Sequence, residues 1–487
     1  MDYSQFLIMG QEIGLLIVFL LVFLFDVFMG KKAQSALSMF TIVLFGIFTV
    51  LSICPCDGAA FAGMYVTSPV MSAIKSILNV GVLIVLIQSM KWANSEAQIM
   101  RRGEFYELLL VTLFGMYLMI SSRHFLLFII GLETASLPLA AMVAFDKNRY
   151  ESHEAAIQYM LTAVFSSAIF MMGVSFVYAL SGSLYFSDIA VMATESSLLI
   201  VALAFVIAGV GFKLSLVPFH LWTADTYQGA PTIVTSYLSV ISKGAAAFAF
   251  MVILVQVFGS FYSQVWEWML YALIILTITV GNLFAIRQRN MKRFLAFSSI
   301  SQAGYIMLGV VACNALGLGS LMYYILVYIF SNLAAFGVVS AIENATGKVS
   351  MDDYNGLYKT NPRLSFTMML AMFSLAGIPP FAGFFSKFFI FSSTISAASS
   401  SVHPMALYIL VLIALVNTIP SLYYYLLVVK AMFIKDDECV IPNFRSACSE
   451  RLGMWICVAG ILLLGLVSCF YTFLVDTAEQ SLFFIGY

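Results

Sequence analysis

Three lysines and one glutamate stand inside stretches built almost wholly of apolar residues. Lys213 lies within 209–217, Lys243 about twelve residues into the run that opens near Thr232, and Lys387 just behind Ile378-Pro379-Pro380-Phe381. Glu133 sits near the middle of 126–139. A lysine at bilayer depth costs about 2.5 to 3.5 kcal/mol on insertion scales, so it persists with a partner, a hydrated cavity or an altered protonation state. Snorkelling along the stem could serve Lys213, but Lys243 is too deep for it. A buried carboxylate such as Glu133 needs a cation, and a lysine on a neighbouring helix is the natural one. Pairing favours both charged forms, whereas desolvation favours both neutral ones. A site balanced between the two takes up or releases a proton when its partner moves, which is the physical basis of a proton relay.

Such groups must be positioned by helices. The 487 residues are 62% hydrophobic and 10% charged, with a mean hydropathy of +1.00. Soluble domains carry about 25% charged residues, so the chain reads as an all-α polytopic membrane protein. Its 23 Lys+Arg nearly cancel its 24 Asp+Glu, which leaves no basic field for nucleic acid. The cysteines form no CxxC pair, and Cys54 with Cys56 reads as two small hydrophobes at a helix end rather than a metal or disulfide site. Apolar runs long enough to cross the hydrocarbon fall near 11–29, 37–54, 72–91, 105–122, 124–144, 155–181, 197–217, 231–257, 264–286, 293–311, 317–342, 364–397, 405–433 and 452–474, which predicts about fourteen helices. The first follows a short start without a basic stretch or a cleavage site, so a retained helix is expected. Polar stretches 343–363 and 435–451 are too short to fold alone, which places any electron-carrying or nucleotide-binding chemistry in other chains.

Two runs are interrupted, at Pro218 and at Pro379-Pro380, and each break frees carbonyls that water, a side chain or a neighbouring helix must satisfy. Broken helices mark ion pathways in transporters, and two of them about five helices apart suggest an inverted repeat. If the connection bearing Lys31 and Lys32 faces the cytoplasm, alternation puts 18 of the 23 basic residues on that side. The opposite side keeps Lys75 and Arg123 together with Asp2, Glu12, Asp57, Asp188, Glu195, Glu267, Asp476 and Glu479, so both termini are expected there. The three basic residues left over are Lys213, Lys243 and Lys387.

The segment GFKLSLVPFHLWTADTYQGAPT from Gly211 to Thr232, with Ser242-Lys243 and GIPPFAGFFSKF from Gly377 to Phe388, closely resembles the signature of the antiporter-like membrane subunits of respiratory complex I and of multisubunit cation/proton antiporters. The resemblance covers essentially the whole chain. Length, an end directly after the fourteenth span and Lys rather than Glu at 387 are most similar to the subunit N type of NADH-quinone oxidoreductase, with antiporter subunits of the D type next. The resemblance implies a three-helix segment over 1–104, two inverted five-helix repeats over 105–257 and 264–433, each with a broken helix, and a fourteenth helix within 434–487. It implies a Glu133–Lys213 pair, a central Lys243 and a second-half Lys387 as the proton relay. His220 and Asp225 follow the first break and either cap and end a half-helix or hydrate the channel. Asp26 and Asn332 are weaker candidates. The implied activity is proton translocation in a bacterial inner membrane, both termini periplasmic, coupled to quinone reduction in partner subunits of the membrane and peripheral arms. NADH, quinone, flavin and iron-sulfur clusters belong to those partners and no cofactor to this chain. The alternative is a cation/proton antiporter subunit exchanging sodium or potassium, and a third reading is a non-pumping spacer.

Overall fold

The computed structural model describes residues 5–28, 34–95, 98, 101–192, 196–259, 266–399, 401–435, 440–467 and 469–485. Asp2, Lys31, Lys32 and Glu195, used above for sidedness, lie outside the described residues. In hydrocarbon an apolar run can satisfy its backbone only by bonding within itself, and each of the fourteen expected runs falls on helix. These are α1 Gly10–Phe28, α2 Gln34–Leu51, α3 Pro69–Ala93, α4 Arg102–Ser121, α5 Phe125–Val143, α6 Tyr150–Ser181, α7 Ser197–Leu214 and α8 Leu221–Gly229. They continue with α9 Thr232–Phe258, α10 Trp266–Ile286, α11 Met291–Ala312, α12 Ala315–Thr346, α13 Pro362–Ala376, α14 Ala382–Ala398, α15 Pro404–Phe433, α16 Cys448–Leu466 and α17 Cys469–Ile485. Among the described residues, 12 helices are long and apolar enough to cross a membrane.

Side-chain caps set several ends. Ser68, Ser196, Asn290 and Asn314 each accept from a backbone N–H in the first turn of α3, α7, α11 and α12, satisfying donors the helix cannot. A short antiparallel hairpin, β1 Gly58–Ala60 and β2 Tyr65–Thr67, joins α2 to α3 and bridges to Ser122 behind α4. Helices α9, α11 and α12 form the interior and are almost wholly buried, whereas α1 and α15 present most of their surface outward.

Both expected breaks are present. The first separates α7 from α8 between Leu214 and Leu221, and the second separates α13 from α14 between Ala376 and Ala382. Gly377 ends α13 at φ 87°, a conformation that suits a residue without Cβ. Gly383 then lets α14 approach so closely that an added Cβ would overlap Ser374 O of α13.

Two expectations need correction. The run 452–474 is not one helix: α16 stops at Leu466 and α17 starts at Cys469. The turn lets Tyr471 stack on Phe389 of α14 at 3.7 Å and brings Val475 against Gly319 of α12, contacts that a straight continuation would forgo. Lys75, Glu12 and Arg123, sorted to a solvent side from their connections, are all buried, at 0%, 1% and 8% exposure. Lys75 and Glu12 neutralise each other inside the protein, so they carry no information about which side faces water.

Candidate functional site

The first break places two groups. Lys213 occupies the last turn of α7, whose end is closed by Ser215 at φ 59° and by Leu216 N donating to Gly211 O at 2.8 Å. Trp222 of α8 turns back to donate to Phe212 O at 3.1 Å, and Thr277 of α10 accepts from Val217 N at 3.0 Å. The unwound segment is therefore held from both sides. The Lys213 ammonium at the end of α7, His220 Nδ1 after the break and Glu133 Oε1 on α5 are each buried without a hydrogen-bond partner among the described residues.

Glu133 on α5 and Lys213, the expected pair, form no ion-pair contact with each other. Glu133 still lies near enough for coulombic attraction to act on Lys213, and it acts on Tyr159 as well. Three polar groups without protein partners in one region are groups that recruit water or move to meet each other. His220 starts α8 without using its side chain as a cap. Lys243 lies near enough to act on it electrostatically.

Lys243 follows a five-residue π turn, Leu238–Ser242, within α9. The wider turn shifts the register of the helix there. The Lys243 ammonium donates to Ser299 Oγ of α11 at 2.7 Å and lies 5.6 Å from the ring centre of Tyr227. One helical turn along α11 stands Gln302, on the same face as Ser299. Gln302 Nε2 donates to Leu375 O at 3.4 Å and to Tyr425 Oη at 3.1 Å, while its carbonyl accepts from Tyr324. Lys387 Nζ donates to the same Leu375 O and to Ala376 O, both at 3.0 Å, and lies 5.3 Å from the ring centre of Tyr305. The ammonium thus satisfies the carbonyls that the second break frees. Lys243 meets Ser299 on α11, and one turn further along that helix Gln302 shares the acceptor Leu375 O with Lys387, so polar groups of α11 stand at both lysines without an unbroken hydrogen-bonded chain among the described residues.

The other expected residues fall away from this line. Asp225 is half-exposed on α8 and accepts from Arg293 at 2.5 Å and from Gln158 at 3.2 Å, so it closes an ion pair at the basic end of the molecule. Nearby, Arg149, Lys292 and Thr232 all donate to Glu343 beside a cavity of about 500 Å³. The Arg149 guanidinium, outside the spans, is held above its ordinary range by its hydrogen bond to Glu343. Asn332 donates to Ser239 Oγ at 2.8 Å and joins α12 to α9 as helix-to-helix glue. Asp26 packs on Gly103 of α4, where no Cβ would fit. Ser299, Gln302, Tyr324 and Tyr425 were not singled out from the sequence. The polar stretch 298–302 inside an apolar run was the available signal. Among the described residues no cluster of three or more His, Cys, Asp or Glu could hold a metal ion.

The family described as NADH:quinone oxidoreductase/Mrp antiporter, TM, matches residues 122–421. An NADH-quinone oxidoreductase subunit N of Phocaeicola vulgatus is 53% identical over 479 residues, spanning 98% of this chain and 100% of that protein. A chain from the structure of respiratory complex I of Thermus thermophilus with bound aureothin superposes with a TM-score of 0.77 at 30% identity, covering 94% of this chain and 97% of that one. A chain of the Mrp complex of a Dietzia species, at 19% identity and a TM-score of 0.85, shares the fold over 98% of both chains.

Proposed function

The chain belongs to the NADH:quinone oxidoreductase/Mrp antiporter family, among the subunit N proteins of complex I, and from that premise we propose that protons cross it along Glu133, Lys213, Lys243 and Lys387. It is a membrane-arm subunit that couples quinone reduction elsewhere in the complex to proton translocation, and the other complex I subunits are its partners. Its setting is a multi-pass inner membrane protein. NADH, flavin, iron-sulfur clusters and quinone are assigned to those partner subunits.

The observation that carries the pathway is that one face of α11 reaches both lysines, Ser299 accepting from Lys243 and Gln302 sharing the acceptor Leu375 O with Lys387, with water completing the steps between them. When a charge change at the quinone end draws Glu133 away from Lys213, the ammonium loses its counter-ion and releases a proton more readily. His220 and water near the break carry the proton to Lys243, and the α11 side chains pass it on to Lys387. When Glu133 returns, Lys213 recovers its counter-ion and reloads. The two broken helices belong to two inverted five-helix repeats, 105–257 and 264–433, behind an N-terminal segment over 1–104 and ahead of the C-terminal 434–487. The excess of basic residues at the end holding Arg149, Arg289 and Lys292 makes that end cytoplasmic and both termini periplasmic. Asp225, paired with Arg293 at that end, orders the mouth of the path.

The test is proton pumping in vesicles containing the assembled complex, normalised to quinone turnover. Glu133→Ala leaves Lys213 buried without its nearby anion, and pumping and coupled quinone reduction are expected to fall while the complex assembles. Wild-type pumping in that variant would remove Glu133 from the path. Gln302→Leu nearly preserves volume, interrupts the α11 link and leaves the Tyr324 hydroxyl unpaired. It is expected to slow pumping and to cost about 1 to 3 kcal/mol of stability, read from the yield of assembled complex on heating.

A further inference from the structure

Glu12, Lys75 and Tyr65 make a second buried cluster, far from the relay in sequence and at the opposite end of the molecule from Arg149 and Lys292. Lys75 Nζ on α3 lies 2.5 Å from Glu12 Oε1 on α1, and Tyr65 Oη on the hairpin donates to Glu12 Oε2 at 2.7 Å. Both charged side chains are sealed from the surface, at 0% and 1% exposure. A buried ion pair is poor evidence for stability, because apolar residues of similar volume often serve as well. Inside a membrane protein an ionisable pair marks an ion or proton site by default.

The cluster connects inward as well as outward. The Lys75 ammonium lies 5.4 Å from the ring centre of Tyr117 on α4, and the Tyr117 hydroxyl donates to Asn79, one turn from Lys75 on α3. Met116, beside Tyr117, touches the Tyr237 hydroxyl at 3.9 Å, and Tyr237 shares a 2.8 Å hydrogen bond with Thr112 of the same helix. The Tyr159 hydroxyl is buried without a partner among the described residues. On the outer side the hairpin covers the cluster, tied down by Arg123 N donating to Met64 O at 2.8 Å. Ser121 lies against Tyr65, and Gln11 Oε1 is buried without a partner among the described residues, where it can hold water.

We infer that Glu12, Lys75 and Tyr65 form a further protonatable site, with the proton as its ligand, that exchanges protons with the interior past Tyr117 and with the outside beneath the hairpin. The site rests on the relay proposed above. A proton entering it adds to the Glu12 carboxylate, breaks the bond to Lys75 and leaves from Glu12 on the hairpin side. The ion pair then re-forms, so no charge remains behind.

Two variants test this in the assembled complex, with protons pumped per quinone reduced as the readout. Glu12→Gln combined with Lys75→Met removes both charges and leaves no orphaned ion. Tyr117→Phe keeps the ion pair and the packing and deletes one hydroxyl. Both are expected to lower the proton ratio while quinone reduction continues. If the double variant does not assemble, Tyr117→Phe decides. A staple that only holds helices together would leave the Tyr117→Phe ratio at the wild-type value, and that result overturns the inference. Lys243→Met run alongside separates the two readings: a lowered ratio there with an unchanged ratio in the cluster variants rejects the cluster alone. An unchanged ratio in all three rejects the relay and the cluster together.

Discussion

Replacing Lys243 by methionine is expected to reduce proton transfer through this subunit by about a hundredfold or more, the scale on which positioned acid–base groups act. Methionine fills nearly the same volume, so the buried environment of Ser299 and Tyr227 around position 243 keeps its packing. What disappears is the ammonium that donates to Ser299 between the first break and α11. The cost in stability is small, about 1 kcal/mol for the lost bond to Ser299. Lys243→Arg is expected to fail as well, since a guanidinium holds its proton at all working pH values. Vesicle pumping normalised to assembled complex reads both variants. Full activity of the arginine variant would show that position 243 needs a fixed charge, and the proton-carrier role would be abandoned.

Lys387→Ala is expected to produce a loss of similar size by two routes. The station at the end of the α11 line is removed, and Leu375 O and Ala376 O lose the ammonium that satisfies them at the second break. Unpaired buried carbonyls cost about 1 to 3 kcal/mol each, so the alanine variant is also expected to assemble less well. Lys387→Gln separates the two effects. Its amide can donate to a carbonyl but cannot carry a proton at neutral pH, so it is expected to restore assembly without restoring pumping. If the glutamine variant pumps at the wild-type ratio to quinone turnover, position 387 is a structural cap and the second half of the path lies elsewhere. A glutamate there could donate to these carbonyls only in its protonated form, because both oxygens would repel a carboxylate.

Much of the molecule follows from sequence alone, and for a definite reason. In hydrocarbon, backbone groups bond within the segment, so apolar runs of about 20 residues report helices directly. The same cost makes Glu133, Lys213, Lys243 and Lys387 conspicuous against their neighbours, and proline's missing N–H marks both breaks. Tertiary structure decided what those residues touch. The sequence carries no measure of the distance between Glu133 and Lys213, which close no ion pair here. Nor does it show that Lys387 turns back to bind the freed end of α13, or that Ser299 meets Lys243 and Gln302 meets Leu375, because side-chain contacts between helices are set by tertiary packing. Glu12 and Lys75 make the same point most sharply. Each sits near one end of its own helix, where a charge is cheap and unremarkable, and only the tertiary fold, which brings α1, α3 and the hairpin together at this end, turns them into a sealed ion pair.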